Sequence, residues 1–193
     1  MVLTHSAGSD CRSPLLIALA DALTQAGITV LRCDLPFRQQ RPHGPPYRQD
    51  AAADRKGLRR ALRALSERGL VPLFLAGHSY GGRQASMLAA EDSELAAGVL
   101  LLSYPLHPPH KPAELRTGHF PSLRTPALFV HGDRDGFGSL SEMEAALKLI
   151  PAAQRLVPVP AAGHDLGFGR KKQPELAPRL VQEFCTFFGL TGN

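Results

Sequence analysis

A chain of 193 residues with 44% hydrophobic and 20% charged side chains has the length for one buried core and is too apolar to stay disordered, so a single domain over residues 1–193 is expected. The formal net charge of +5 traces to the arginine-rich stretch 55–68 and to Arg170-Lys171-Lys172; with no recognition motif or interleaved aromatics, it reads as a solvated surface and excludes a nucleic-acid partner. No apolar run reaches the roughly 18 residues of a spanning helix and no basic-then-apolar leader opens the chain. Cys11, Cys33 and Cys185 form no C-x-x-C pair, so the expectation is a soluble cytoplasmic protein without membrane contact, disulfide framework or thiolate zinc site.

Six short runs rich in apolar and β-branched residues, 2–5, 28–35, 71–76, 97–103, 127–131 and 155–159, alternate with helical segments, the pattern of parallel strands joined by helical crossovers. After the first strand, Ser13-Pro14 supplies an N-cap and a proline at the first helical position; leucines and alanines follow at helical spacing, and Gly27 stops the run. Beyond the second strand, residues 37–48 are rich in Pro, Gly, Gln and Arg and break the pattern. Residues 50–68 restore it, with Leu58, Ala61, Leu62 and Leu65 on one helical face and Gly69 behind. The third strand runs into a helix after Ser79. Past the fourth, residues 104–126 carry five prolines before Pro126 and three histidines. The fifth strand leads to a helix near Ser139, and the sixth to a last helix from about Pro174 to Phe188. Both irregular stretches follow strands, so both lie at the carboxyl edge of the sheet, where open α/β folds bind ligands.

The strongest local signal is Gly77-His78-Ser79-Tyr80-Gly81, a G-x-S-x-G directly between an apolar strand and a helix. Such a turn needs glycine on both flanks because a side chain there would strike the neighbouring strand and helix. It exposes the serine hydroxyl, and the helix amino terminus aims N–H groups at a developing anion. A hydroxyl attacks only when a base takes its proton, and that base requires an orienting acid. Beyond the last two strands stand His131-Gly132-Asp133-Arg134-Asp135 and Ala162-Gly163-His164-Asp165. Of the other histidines weighed, His5, His78, His110 and His131, none occupies the last strand–loop position, and His5 and His131 suit loop bracing. His164 is therefore the expected base. Either Asp133 or Asp135 can supply the acid while the other caps the turn.

The order Ser, Asp, His is that of α/β-hydrolases. The chain resembles the dienelactone-hydrolase-like part of that superfamily, and more narrowly the domain shared by a testis-expressed protein and a subunit of the NSL chromatin-acetylation complex. The resemblance spans residues 3–167. It rests on Gly77-His78-Ser79-Tyr80-Gly81-Gly82-Arg83, on Ser103-Tyr104-Pro105-Leu106-His107-Pro108-Pro109 with Lys111-Pro112 and Leu115-Arg116, and on residues 129–138. It implies a three-layer α/β-hydrolase sandwich with a mostly parallel sheet of about six strands, the family's N-terminal hairpin being absent. By likeness to H-G-x-x-D, it also makes Asp135 the triad acid. The oxyanion hole is then the N–H of Tyr80 with that of Ala7, in a loop like the lipase H-G-x-G but with Ser6 where glycine is expected. Dienelactone hydrolases proper use cysteine where Ser79 stands, so their particular reaction is not implied.

The expected activity is hydrolysis of a small acyl ester or thioester without cofactor or metal, the competing reading being a binding module that retains the fold. Metal hydrolysis by His107, His110 and His119 fits no ligand spacing. Tyr104, Leu106, His107 and the Phe37 loop are expected to border a shallow cleft. Arg83, one turn past the serine, is a candidate for a substrate carboxylate or for a buried structural pair. Too short a segment precedes the aspartate strand for a large lid.

Overall fold

The apolar runs become strands because both faces of the sheet are covered. In the central strand β4 (Gly98–Leu102), Val99 and Leu101 point to one core while Leu100 and Leu102 point to the other, the period-two arrangement of a doubly buried parallel sheet. The computed structural model describes residues 1–169 and 175–190; Arg170-Lys171-Lys172 and Pro174 lie outside the described residues. In chain order the other strands are β1 (Val2–Thr4), β2 (Leu31–Cys33), β3 (Phe74–His78), β5 (Ala127–Gly132) and β6 (Gln154–Val159). All six pair in parallel, in the order β2-β1-β3-β4-β5-β6.

Helices α1 (Pro14–Gln25) and α6 (Leu176–Phe188) cover one face through Leu16, Leu19, Leu23, Leu180 and Phe184. Helices α3 (Asp50–Ser66), α4 (Tyr80–Glu91) and α5 (Leu140–Leu147) cover the other through Leu58, Leu62, Leu88, Met143 and Leu147. The result is the expected three-layer α/β sandwich. α5 opens with a capping box in which Ser139 and Glu142 satisfy each other's backbone N–H. No described helix is long and apolar enough to cross a membrane.

Two local expectations are refined. Ser13 holds the N-cap position of α1, with Pro14 at the first helical position, but its hydroxyl is buried and makes no capping hydrogen bond. The 37–48 stretch is not wholly irregular, since Pro36–Gln40 forms a short helix, α2. The Phe37 N–H at its start is held by the buried Asp54 carboxylate at 3.0 Å.

The topology places the site. The chain enters at β1, steps outward to β2, and crosses back over β1 to β3, so the strand order reverses between β1 and β3. A crevice opens at such a switch point, outside the carboxyl ends of the two strands. The 5–9 loop leaves β1 there and Ser79 leaves β3.

Candidate active site

The glycines of the elbow are required by contact. A Cβ on Gly77 would lie closer than 3.0 Å to the backbone of Gly81 and Gly82, and one on Gly81 would strike His5 O and Thr4. The Gly81 N–H donates to His5 O at 3.1 Å, which fastens the β1 loop against the start of α4. Ser79 is forced to φ 53°, ψ −113°, backbone that an L-residue adopts only where its surroundings impose it. Tyr80 is the first helical residue, so its N–H has no intrahelical acceptor.

Ser79 Oγ donates to His164 Nε2 at 2.7 Å, and His164 Nδ1–H donates to Asp135 Oδ2 at 2.8 Å. The partners fix the tautomer: the ring carries its proton on Nδ1 and offers Nε2 to the hydroxyl. The second carboxylate oxygen, Oδ1, accepts the Phe137 N–H at 2.9 Å. Burial pushes the Asp135 carboxyl upward, but the His164 hydrogen bond and charge, with the Phe137 N–H, outweigh it and leave the group below its ordinary value. Asp133 is exposed, whereas Asp135 is buried. The approach of the two loops depends on Gly132, where a Cβ would strike the Ala162 and Gly163 carbonyls.

The remaining histidines of strand ends brace loops. His5 donates from Nδ1 to Ser6 O at 2.8 Å and accepts the Leu35 N–H at 3.0 Å on Nε2. His131 donates to Gly138 O at 2.7 Å. His78 donates to the carbonyl of His164 itself at 2.8 Å, tying the base's backbone to the strand that carries the nucleophile. His110 is exposed, on the 104–126 segment.

Burial pushes the His78 imidazole down to about 4 despite that bond. Burial, then the charges of Arg83 and Arg55, brings His119 to about 4 as well. Unfolded histidine takes its proton near pH 6.5, so between about 6.5 and 4 the unfolded chain binds more protons and native stability falls as pH falls. Chemical unfolding at pH 7 and pH 4.5 is expected to differ by on the order of 2 kcal/mol more in the native protein than in His78→Asn. An identical pH dependence in the two proteins would show that His78 is not the group concerned.

Ser6 and Ala7 are not among the residues with positive φ, so the loop does not demand glycine where Ser6 stands; Ser6 Oγ hydrogen-bonds Ser9 Oγ at 2.9 Å. What shapes this loop is Arg38. The buried guanidinium of α2 reaches the carbonyls of Ala7 (2.8 Å), Ser9 (3.0 Å), Arg41 (3.1 Å), Pro42 (2.8 Å) and Gly44 (3.0 Å), using its full donor complement.

An open cavity of about 1070 Å³ lies over Ser79, bordered by Ala7, Tyr80, Arg83, Met87 and Phe137, and by residues of the 45–55 and 105–116 segments. Three expected cleft residues are elsewhere. Tyr104 and Leu106 are fully buried, and His107 is 5% exposed. Tyr104 packs on Phe120 and Phe129 and donates its hydroxyl to Arg116 O at 2.6 Å. Leu106 packs under Gly138, and His107 Nδ1–H turns to Pro108 O at 2.8 Å. Their proline neighbours Pro105 and Pro108 face the cavity instead. Phe37 is likewise core, edge-on to Tyr80 at 5.6 Å. Arg83 does line the cavity.

Sequence reasoning missed Phe137, whose ring stacks on His164 at 4.1 Å between centroids, and Arg116, which also lines the cavity. Both lie within quoted motif stretches, so their position in the chain was a usable signal. Arg38 gave none, being one arginine in an arginine-rich loop. Among the described residues no group of three His, Cys, Asp or Glu side chains could hold a metal ion.

Comparison with known proteins agrees with this architecture. A family model described as an alpha/beta hydrolase domain matches residues 1–186. Among solved structures, a dienelactone hydrolase from Anabaena variabilis is similar at 24% identity and TM-score 0.72, covering 98% of this chain and 84% of its own. Est1E from Butyrivibrio proteoclasticus, solved with ferulic acid bound, is similar at 17% identity and TM-score 0.77, covering 98% and 89%. A putative hydrolase from Xanthomonas campestris matches at 24% identity and TM-score 0.65, covering 96% of each chain. With the family model matching nearly from end to end, and the sheet order and elbow already in place, the chain belongs to the α/β-hydrolase family.

Proposed function

We propose that the protein is a serine hydrolase that cleaves a small carboxylic ester or thioester through an acyl-enzyme. The observation that carries this reading is the unbroken hydrogen-bond chain from Asp135 through His164 to Ser79, at 2.8 and 2.7 Å, opening on a cavity. Ser79 Oγ attacks the acyl carbon as its proton passes to His164 Nε2, and Asp135 stabilises the imidazolium. The carbonyl oxygen becomes an oxyanion in reach of the Tyr80 and Ala7 N–H groups. Collapse breaks the bond to the alcohol or thiol, which leaves with the proton from His164. A water molecule then repeats the sequence, releasing the acid and restoring Ser79. No step calls on a metal or organic cofactor.

The test is labelling with a fluorophosphonate, which reports an activated hydroxyl without requiring a good substrate. The adduct is expected on Ser79 by peptide mapping. No adduct, together with no cleavage across a panel of esters and thioesters, would leave a binding module in place of an enzyme.

Arg38 is a positioning residue in this scheme, since it fixes the carbonyls of Ala7 and Ser9 on either side of the loop that carries one oxyanion donor. Arg38→Met is expected to lower kcat by roughly 10- to 100-fold, somewhat less than outright loss of a donor, with KM little changed. Arg38→Lys, which keeps the charge and fewer of the bonds, falls between. A rise in KM with kcat intact would assign Arg38 to binding and not to the anion hole.

A further inference from the structure

The cavity over Ser79 has an unbalanced charge. Its lining includes Arg48, Arg55, Arg83 and Arg116 but one acidic residue, Glu114, and that carboxylate is exposed and engaged by Lys111 at 2.9 Å. Arg55 is occupied by Glu91 at 2.7 Å and by Gln84 at 3.1 Å. Arg83 and Arg116 are half-buried and form no ion pair among the described residues. Arg83 Nε is fully enclosed with no hydrogen-bond partner, and the Arg116 guanidinium has one weak contact, Nη1 to Pro105 O at 3.4 Å.

Both arginines are nevertheless held in place. Arg83 stands one turn beyond Ser79, its N–H on Ser79 O at 2.9 Å. The Arg116 backbone is locked on both sides: its N–H donates to Leu106 O at 2.8 Å and its carbonyl accepts the Tyr104 hydroxyl at 2.6 Å. Burial, then the charge of Arg83, lowers the Arg116 guanidinium from its ordinary value, and both arginines line the cavity that holds Ser79. Half-buried cations without a counter-charge are costly to hold in a fold, and the enclosed Arg83 Nε–H has no acceptor among the described residues. A carboxylate between the two forks satisfies both, since guanidinium geometry matches carboxylate oxygens bidentately.

We propose that Arg83 and Arg116 form an anion subsite and that the substrate is an ester or thioester bearing a free carboxylate. This rests on the hydrolase reading for its chemistry, though not for its binding. A half-ester of a six-carbon dicarboxylic acid carries both groups on a flexible methylene chain. Met87, one turn further along α4, gives the cavity an apolar wall for the methylene chain.

The experiment compares p-nitrophenyl monoadipate with its methyl-capped neutral counterpart. At low salt the anion is expected to show roughly tenfold or greater kcat/KM, mostly through KM, as bidentate charge-assisted bonds replace none. The charged-to-neutral ratio is expected to fall toward one in Arg83→Met and in Arg116→Gln, and to shrink with added salt. A second pair, 4-carboxyphenyl acetate and its methyl ester, places the carboxylate on the leaving group; whichever pair shows the preference locates the anion. Calorimetric binding of monomethyl adipate to Ser79→Ala is expected to require Arg83. Should either arginine variant not fold, the wild-type ratio and its salt dependence decide. Equal rates within both pairs, with no arginine-dependent binding, overturn the subsite and leave the hydrolase standing. Arginine-dependent binding without cleavage of any ester supports the subsite and removes the hydrolase.

Discussion

Replacing Ser79 with alanine is expected to lower kcat on an activated ester by on the order of 10⁴- to 10⁶-fold, the range seen when a triad nucleophile is removed and only the anion hole and binding remain. The geometry leaves no substitute. Ser79 sits at φ 53° on a turn closed by Gly77 and Gly81, and its hydroxyl is the group that meets His164 Nε2. Ser103 is buried without a partner for its hydroxyl, and Ser6 is turned to Ser9. The small alanine side chain fits the same turn, so native stability is expected to change little, which thermal unfolding checks. The measurement is pre-steady-state release of p-nitrophenol with active-site titration, so that a trace contaminant is not counted as residual activity. A variant that keeps more than about a tenth of the wild-type rate would take the nucleophile away from Ser79.

Asp135→Asn is expected to cost on the order of 10⁴ in kcat, because an amide nitrogen facing His164 Nδ1 reverses the tautomer and turns Nε2 into a donor. Asp135 Oδ2 is fully committed to the imidazole at 2.8 Å and Oδ1 to the Phe137 N–H at 2.9 Å. The same substitution keeps the amide oxygen on the Phe137 N–H, so the ring stacked on His164 is expected to stay in place. Asp133→Asn is expected to stay within about twofold of wild type, as exposed substitutions away from special contacts usually do. Its side chain is exposed and its N–H is held by Val159 O at 3.2 Å. Parallel kcat and KM measurements on the two variants decide between them, and the opposite ranking would give the acid role to Asp133.

Single residues show how much of this was legible in the chain. Ser79, His164 and Asp135 each follow a strand, and the strands announce themselves by short apolar runs. Once all strands run parallel, every such loop falls on one edge, so the convergence of three distant residues is a topological consequence of the sequence pattern. The elbow was legible for the same reason: a strand, a G-x-S-x-G and a helix in immediate succession leave few ways for the backbone to turn. Expected strand boundaries ran long at 28–35, where three residues, Leu31–Cys33, pair with β1, because apolarity continues past the last ladder hydrogen bond.

Loop facing was not legible. In the 104–116 segment the sequence offers Tyr104, Leu106 and His107 beside Pro105 and Pro108, and without a helical or strand period nothing local says which of them turns inward. The Phe120–Phe129 cluster took Tyr104, and Gly138 made room for Leu106, leaving the prolines to line the cavity. Likewise, an arginine in sequence is only a charge. Arg38 became an internal clamp because five carbonyls from separate segments close around it, while Arg83 was left facing the cavity without an anion. Period and order along the chain were enough for the sheet, its layers and the loops that carry Ser79, His164 and the acid, while the choice of Asp135 over Asp133 came from the resemblance to H-G-x-x-D. The tertiary structure alone decided which loop side chains face the substrate and which charges stay unpaired, because both depend on contacts between segments distant along the chain.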